Sequence, residues 1–224
     1  MAEALIRRFG HKVYLVGDSW GTFLGVLLAK ARPDLIAAFV GSGQMVNLAE
    51  TDTMFYEDGL AYATKTGQAA VVEALIRQGP PPYENTYDYE VLFALEGSWN
   101  AYPRDPALAA RLNPLTNVLG RPELPLLAKV RYGPNFVDTF AAVYPEANTI
   151  DLRKVASTLE VPVYVLLGDH EARGRAVLAQ AWFAMLKAPA KHLVAFPNSG
   201  HNPFTQEVGR FLGVLRQAAA AHPA

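Results

Sequence analysis

Apolar positions fall into two regimes along the chain. Short continuous apolar runs, bounded by glycine or proline, occur at residues 12–16, 35–40, 161–167 and 191–196. Runs of about four to eight such residues predict buried strands. Around them lie segments with apolar residues at helical spacing: Phe23, Leu24, Leu27 and Leu28, then residues 176–186 and 208–221. Residues 2–9 predict a helix stopped by Gly10. Arg32-Pro33-Asp34 ends the helix that follows the first strand, and Gly41-Ser42-Gly43 closes the second strand. Two buried strands joined through one helix predict a βαβ unit with parallel strands and a right-handed crossover.

Between residues 47 and 156 tyrosines, prolines and amphipathic segments replace the strand-like runs. Helices are predicted over 52–65, 67–77, 87–95, 105–112 and 135–143, with a firm break at Gly79-Pro80-Pro81-Pro82-Tyr83. The expected organisation is a core built from residues 1–46 and 157–224, interrupted by a helical insertion over 47–156. Insertions beside the carboxyl ends of parallel strands line the ligand crevice, so this one is read as a cap or lid rather than a separate structural domain.

Composition narrows the picture. At 224 residues and 51% hydrophobic, the chain can bury a substantial core in one domain. Lys+Arg 20 against Asp+Glu 21 leaves a net charge of -1, which suggests neither a nucleic-acid nor an anionic-membrane partner. The absence of cysteine excludes disulfides, thiolate metal sites and a cysteine nucleophile. The first ten residues lack the apolar core of a secretory signal, and no run approaches the ~20 residues of a membrane span. A soluble, cytoplasmic protein is expected. No internal repeat occurs, and the alanine-rich stretch 218–221 reads as a helix end.

Candidate chemistry begins at Gly17-Asp18-Ser19-Trp20-Gly21. Three fixed positions recur by chance, and the plainer reading is a strand-to-helix turn with an exposed serine. The context says more: a buried strand precedes the motif and a helix opens directly after it, as in a nucleophile elbow. There the serine takes a strained conformation, and small residues two before and two after let strand and helix pass closely. A serine hydroxyl needs a base, and the base needs a carboxylate. Of five histidines, His11 precedes a strand at the wrong edge of the sheet, His192 sits inside a strand and His222 lies in the tail, leaving His170 and His201. His201 follows the fourth strand in Asn198-Ser199-Gly200-His201-Asn202-Pro203-Phe204, on the edge where Ser19 also lies. The acid belongs after the third strand, in Gly168-Asp169-His170-Glu171, where Glu171 is favoured over Asp169 because two residues of turn past the glycine let it point back over the sheet. Asp169, His170 and His201 could bind a metal only with convergence and a supporting shell that the sequence does not display. No metal or cofactor is expected.

The order serine, acid, histidine and the segments just quoted resemble the α/β-hydrolase superfamily, and most closely its proline-iminopeptidase-like branch. The similarity spans nearly the whole chain. It implies an α/β fold with a mostly parallel sheet, N-terminally shortened, and an inserted helical cap. It also implies a triad of Ser19, Glu171 and His201, with the Trp20 N–H as one oxyanion donor. Glutamate departs from the family's usual aspartate. A larger departure is the lack of the family's first strands and of a His-Gly-Gly-type loop, which normally gives the second oxyanion donor; losing one donor puts a factor of roughly 10² to 10³ in rate at stake. The strand at 12–16 would then be an apolar edge, so self-association through it, or a place within a longer enzyme, is expected. The function implied is a serine hydrolase, acting by acyl transfer on small esters or on N-terminal aminoacyl peptides and arylamides. Glu90, Glu96 and Glu123 are available to hold a substrate ammonium, whereas the aromatic-rich segment with Tyr83, Tyr87, Tyr89, Phe93, Trp99 and Tyr102 suits an apolar ester or a packed core. The competing class is a catalytically weak remnant serving as a binding or interaction module.

Overall fold

The computed structural model describes residues 1–103 and 118–224. Its centre is a four-stranded sheet of β1 (Val13–Asp18), β2 (Ile36–Ser42), β3 (Val163–Gly168) and β4 (Lys191–Phe196), whose spatial order follows the sequence order. All neighbouring pairs are parallel, with Val16 beside Val40, Val40 beside Tyr164 and Tyr164 beside His192. Helix α1 (Ala2–Phe9) precedes β1, and α2 (Trp20–Ala31) connects β1 to β2. Between β2 and β3 run α3 (Leu48–Lys65), α4 (Ala69–Gln78), α5 (Glu90–Trp99), α6 (Leu126–Ala147) and the short α7 (Leu152–Val155). Helix α8 (Arg173–Met185) connects β3 to β4, and α9 (Pro203–Gln206) and α10 (Val208–Ala221) follow.

Strands β2 and β3 are buried along their whole length, because helices cover both faces of the sheet. Alternate residues serve opposite faces. Phe39, Val163 and Val165 pack with Phe23 and Val26 of α2 and with Leu178 and Trp182 of α8. Ala38, Val40, Tyr164 and Leu166 face the other way, against Phe211, Val214 and Ala218 of α10. Among the described residues β1 pairs with β2 alone, and Val16 on it is 43% exposed.

Several boundaries differ from the sequence reading for identifiable reasons. Strand β1 continues through Gly17 to Asp18, where Asp18 pairs with Ser42. Helix α3 starts four residues earlier than expected, since the Asn47 side chain caps it by accepting from the Glu50 N–H at 2.9 Å. Helix α6 runs over 22 residues instead of 135–143 and contains Pro134 and Pro145. Proline costs about 3 kcal/mol inside a helix, yet the packing of Phe140 and Tyr144 from this helix against Trp20 and Tyr89 outweighs propensity. The helix expected over 105–112 lies outside the described residues. Among the described residues no helix is long and apolar enough to cross a membrane.

One carboxylate is buried between the helices. Asp52 of α3 is 1% exposed, and the Tyr144 hydroxyl of α6 donates to its Oδ2 at 2.6 Å. Burial pushes the Asp52 carboxyl up to about 7, against the Tyr144 hydrogen bond and the Arg175 charge.

Two stability measurements follow from this packing. Trp182 is fully buried and donates through Nε1 to the Ala156 carbonyl at 3.0 Å, so Trp182→Ala is expected to lower unfolding free energy in urea by about 3–5 kcal/mol. The folded protein holds a proton on Asp52 more tightly than the unfolded chain, so this group's contribution to stability falls as pH rises from about 4 to about 7. Asp52→Asn removes that titration. Its stability relative to the native sequence is expected to improve between pH 4 and pH 8 by up to about 4 kcal/mol, because each tenfold change in proton affinity corresponds to about 1.4 kcal/mol.

Candidate active site

The carboxyl ends of the four strands meet on one edge. Strand β1 hands over to Ser19, whose φ of 50 and ψ of -118 make it the one non-glycine residue with positive φ among the described residues. Such a conformation costs about 1–3 kcal/mol and needs fixing from outside. The Ser19 N–H donates to the Ser42 carbonyl at 2.9 Å, and the Ser19 carbonyl accepts from the Thr22 N–H at 2.9 Å and the Thr22 hydroxyl at 2.6 Å. Thr22, itself buried, also accepts from the Met45 N–H at 3.0 Å, which ties the turn to the loop after β2. A Cβ on Gly17 would stand 2.5 Å from the Gly21 carbonyl oxygen, whereas one on Gly21 would meet nothing within 4 Å. The requirement for smallness, expected on both sides of the serine, therefore sits at Gly17. Trp20 opens α2, so its N–H has no acceptor within the helix and lies beside the serine.

The loop after β4 brings His201 to Ser19. Its Nε2 lies 2.8 Å from Ser19 Oγ, and its Nδ1 lies 2.8 Å from Glu171 Oε2. Gly43 makes room for this loop: its φ is +60, and a Cβ there would stand 2.3 Å from the His201 carbonyl oxygen. Burial works to raise the Glu171 carboxyl, but the charges of His201 and Arg175 and the hydrogen bonds from both hold it at about 2. An ionised carboxylate only accepts, so Nδ1 carries the imidazole hydrogen and the lone pair on Nε2 accepts the Ser19 O–H. Ser19 Oγ is also 3.6 Å from Met45 Sδ, a weaker acceptor.

The two candidate acids are placed differently. Asp169 is exposed and its N–H donates to the Phe196 carbonyl, while Glu171 reaches His201. His170 stacks on Tyr102 with ring centroids 4.7 Å apart, and His201 commits both ring nitrogens to Ser19 and Glu171. Asp18 lies at the same edge, and burial pushes its carboxyl up against the pull of His201.

A cavity of about 800 Å³ opens over Ser19, walled largely by Trp20, Met45, Phe55, Phe93 and Phe140. Trp20 stacks beside both Phe140 and Tyr144, each centroid 5.5 Å away, and those two rings stack on each other at 4.3 Å. Asp52, Glu90 and Arg175 add charge to the wall. Of the three glutamates considered for an ammonium group, Glu90 borders the cavity, Glu96 pairs with Arg175, and Glu123 pairs with Arg121 at 3.1 Å on the surface. The aromatic residues divide similarly. Tyr87 and Phe93 border the cavity, Tyr89 is buried against Tyr83 and Phe93, and Trp99 stands edge-on to Phe55. The Tyr102 hydroxyl accepts from the Gly200 N–H at 3.0 Å and from Gln206 Nε2 at 2.6 Å, bracing the histidine loop. Asp52 and Arg175 were not singled out by the sequence. Arg175 carried a signal, its i+4 spacing from Glu171, while nothing local marks Asp52 as buried.

Comparison with known proteins agrees with this architecture. A family model described as "Alpha/beta hydrolase family" matches residues 2–213. "Probable aminopeptidase YbaC" of Bacillus subtilis (strain 168) is 25% identical over 217 residues, covering 94% of this chain; the chain spans 66% of that relative's length. Among solved structures, an alpha/beta fold family hydrolase from Bacillus anthracis str. Sterne superposes with a TM-score of 0.54 at 16% identity, covering 96% of this chain and 70% of that one. A thermophilic esterase from Thermogutta terrifontis gives 0.55 at 19% identity, with 98% and 70% covered. With the parallel sheet, the strained serine turn and a match over nearly its whole length, the chain belongs to the alpha/beta hydrolase family.

Proposed function

We propose that this chain is a serine hydrolase working by acyl transfer on small carboxylic esters or N-terminal aminoacyl peptides and arylamides. The observation that carries the reading is the unbroken hydrogen-bonded series from Ser19 Oγ through His201 to Glu171, with both links at 2.8 Å. His201 Nε2 takes the hydroxyl proton as Ser19 Oγ attacks the substrate carbonyl carbon. Negative charge develops on the carbonyl oxygen, towards which the Trp20 N–H serves as a donor. The imidazolium then protonates the departing alkoxide or amine, leaving an acyl ester on Ser19. Water attacks that ester as His201 accepts its proton, the acid departs, and the proton returns to Ser19. Glu171 remains ionised and stabilises the imidazolium.

The cavity wall supports both substrate classes named. Its apolar rings suit an ester with an apolar acyl or alcohol group, and the family relative described as a probable aminopeptidase favours the aminoacyl alternative. In this reading the helices over 47–156 act as the lid above Ser19, with α5 and α6 supplying Phe93 and Phe140 to the pocket.

A fluorophosphonate probe is expected to label the protein at one site, and Ser19→Ala to abolish labelling and lower turnover by at least roughly 10³-fold. A panel of p-nitrophenyl esters and prolyl arylamides then separates the two substrate classes. Labelling that survives Ser19→Ala would overturn Ser19 as the nucleophile, and a folded protein that never labels would leave the binding-module alternative. Gly43→Ala places a methyl group against the His201 backbone and 2.9 Å from Nδ1, so labelling is expected to slow about 10²-fold while the helical circular-dichroism signal is kept.

A further inference from the structure

Glu171 reaches His201 with one carboxylate oxygen only. The other, Oε1, accepts from the Ala172 N–H at 2.9 Å and from Arg175 Nε at 2.7 Å. Arg175 lies one helical turn beyond Glu171 at the start of α8, is 7% exposed, and holds its guanidinium 4.8 Å over the Phe55 ring. The far edge of that guanidinium faces Glu96 of α5, with Nη1 3.4 Å from Oε2 and Nη2 against Oε1. A buried cation thus joins two carboxylates with different positions. One orients His201, and the other sits on the helix that lends Glu90, Phe93 and Ala94 to the cavity wall.

A glutamate side chain has three rotatable bonds, and the hydrogen bond to His201 constrains only one end of its carboxylate. Arg175 donates its Nε–H to the other oxygen while its Nη1 and Nη2 fork is held by Glu96, so a rigid planar group fixes that end of the carboxylate, which an ammonium could not do with the same geometry. We propose that Arg175 is a positioning residue for the reaction at Ser19, locking Glu171 against His201 and tying that placement to helix α5 through Glu96. The role rests on the hydrolase reading above.

The charge arrangement makes the role measurable. Arg175 offsets the Glu171 charge that His201 faces, and Glu96 in turn offsets Arg175. Removing the guanidinium favours the imidazolium, whereas removing the Glu96 charge favours the neutral ring. The other ionisable groups on the cavity wall are Asp18, Asp52, Tyr87, Glu90 and Tyr144. Asp52 and Tyr144 feel the Arg175 charge, and Asp18 feels that of His201. All five remain in every variant, so the readout is the difference from the native sequence.

The experiment follows the second-order rate of Ser19 modification by a fluorophosphonate–rhodamine probe from about pH 5 to pH 9, beside thermal melts. Arg175→Met is expected to slow labelling about 10–100-fold and to move the acid limb of the profile up by about one pH unit. Glu96→Gln is expected to move the limb the opposite way by about half a unit. Arg175→Lys should keep the limb close to its native place while labelling more slowly, because it retains the charge and loses the fork. Slower labelling in Arg175→Met with an unmoved limb, or limbs that move the same way in Arg175→Met and Glu96→Gln, would overturn the proposal. Should Arg175→Met melt below the assay temperature, Glu96→Gln decides alone: an unmoved limb overturns it. A folded native protein that does not label at Ser19 overturns the hydrolase reading instead, and the positioning role with it.

Discussion

The hydrogen bond between Glu171 and His201 joins two loops that leave the sheet from adjacent strands, and the arrangement around Ser19 depends on it. Without that bond the imidazole could present either nitrogen to the serine. With an ionised carboxylate on Nδ1, the tautomer is fixed and Nε2 is left to accept. The carboxylate can stay ionised at 8% exposure only because positive charge and hydrogen bonds converge on it from both sides. The parallel sheet makes this convergence simple, since β1, β3 and β4 all deliver their following residues to the same edge.

Opposite behaviour is seen at another buried carboxylate. Asp52 lies at comparable depth and receives one strong hydrogen bond from Tyr144, yet burial prevails and its proton is held up to about 7. The contrast shows what separates the two acids. Glu171 has a guanidinium and an imidazole in direct contact, and Asp52 has a phenol. Near neutral pH the cavity therefore has one acid held firmly ionised behind His201 and one poised between its two forms.

Much of this was legible in the chain itself. Strands β2 and β3 announce themselves because both faces of the sheet are covered there, which demands uninterrupted apolar runs; β4 is only partly buried and is legible through Leu193 to Phe196, and α10 packs one face with helical spacing. Ser19 and His201 could be read from topology, as turns at the carboxyl ends of strands. The choice between Glu171 and Asp169 could be ranked but not closed, because it depends on which way a side chain leaves a three-residue turn. The sequence pattern gives helix α6 only over 135–143, between Pro134 and Pro145, whereas the tertiary packing of Phe140 and Tyr144 sets its length. Asp52 is marked by no single segment, because its environment is made by α3, α6 and α8 together, and for Arg175 only the i+4 spacing from Glu171 is local while its Phe55 and Glu96 contacts come from other helices.

Strand β1 carries the strained turn, and its last pairing, Asp18 beside Ser42, stands directly against that turn. In the language of local unfolding, opening of this end of the β1–β2 ladder would release the stored backbone strain at Ser19 and dismantle its alignment with His201, while the Glu171–His201 hydrogen bond and the β2–β4 core remained in place. The alignment at Ser19 can therefore be lost while the fold is kept.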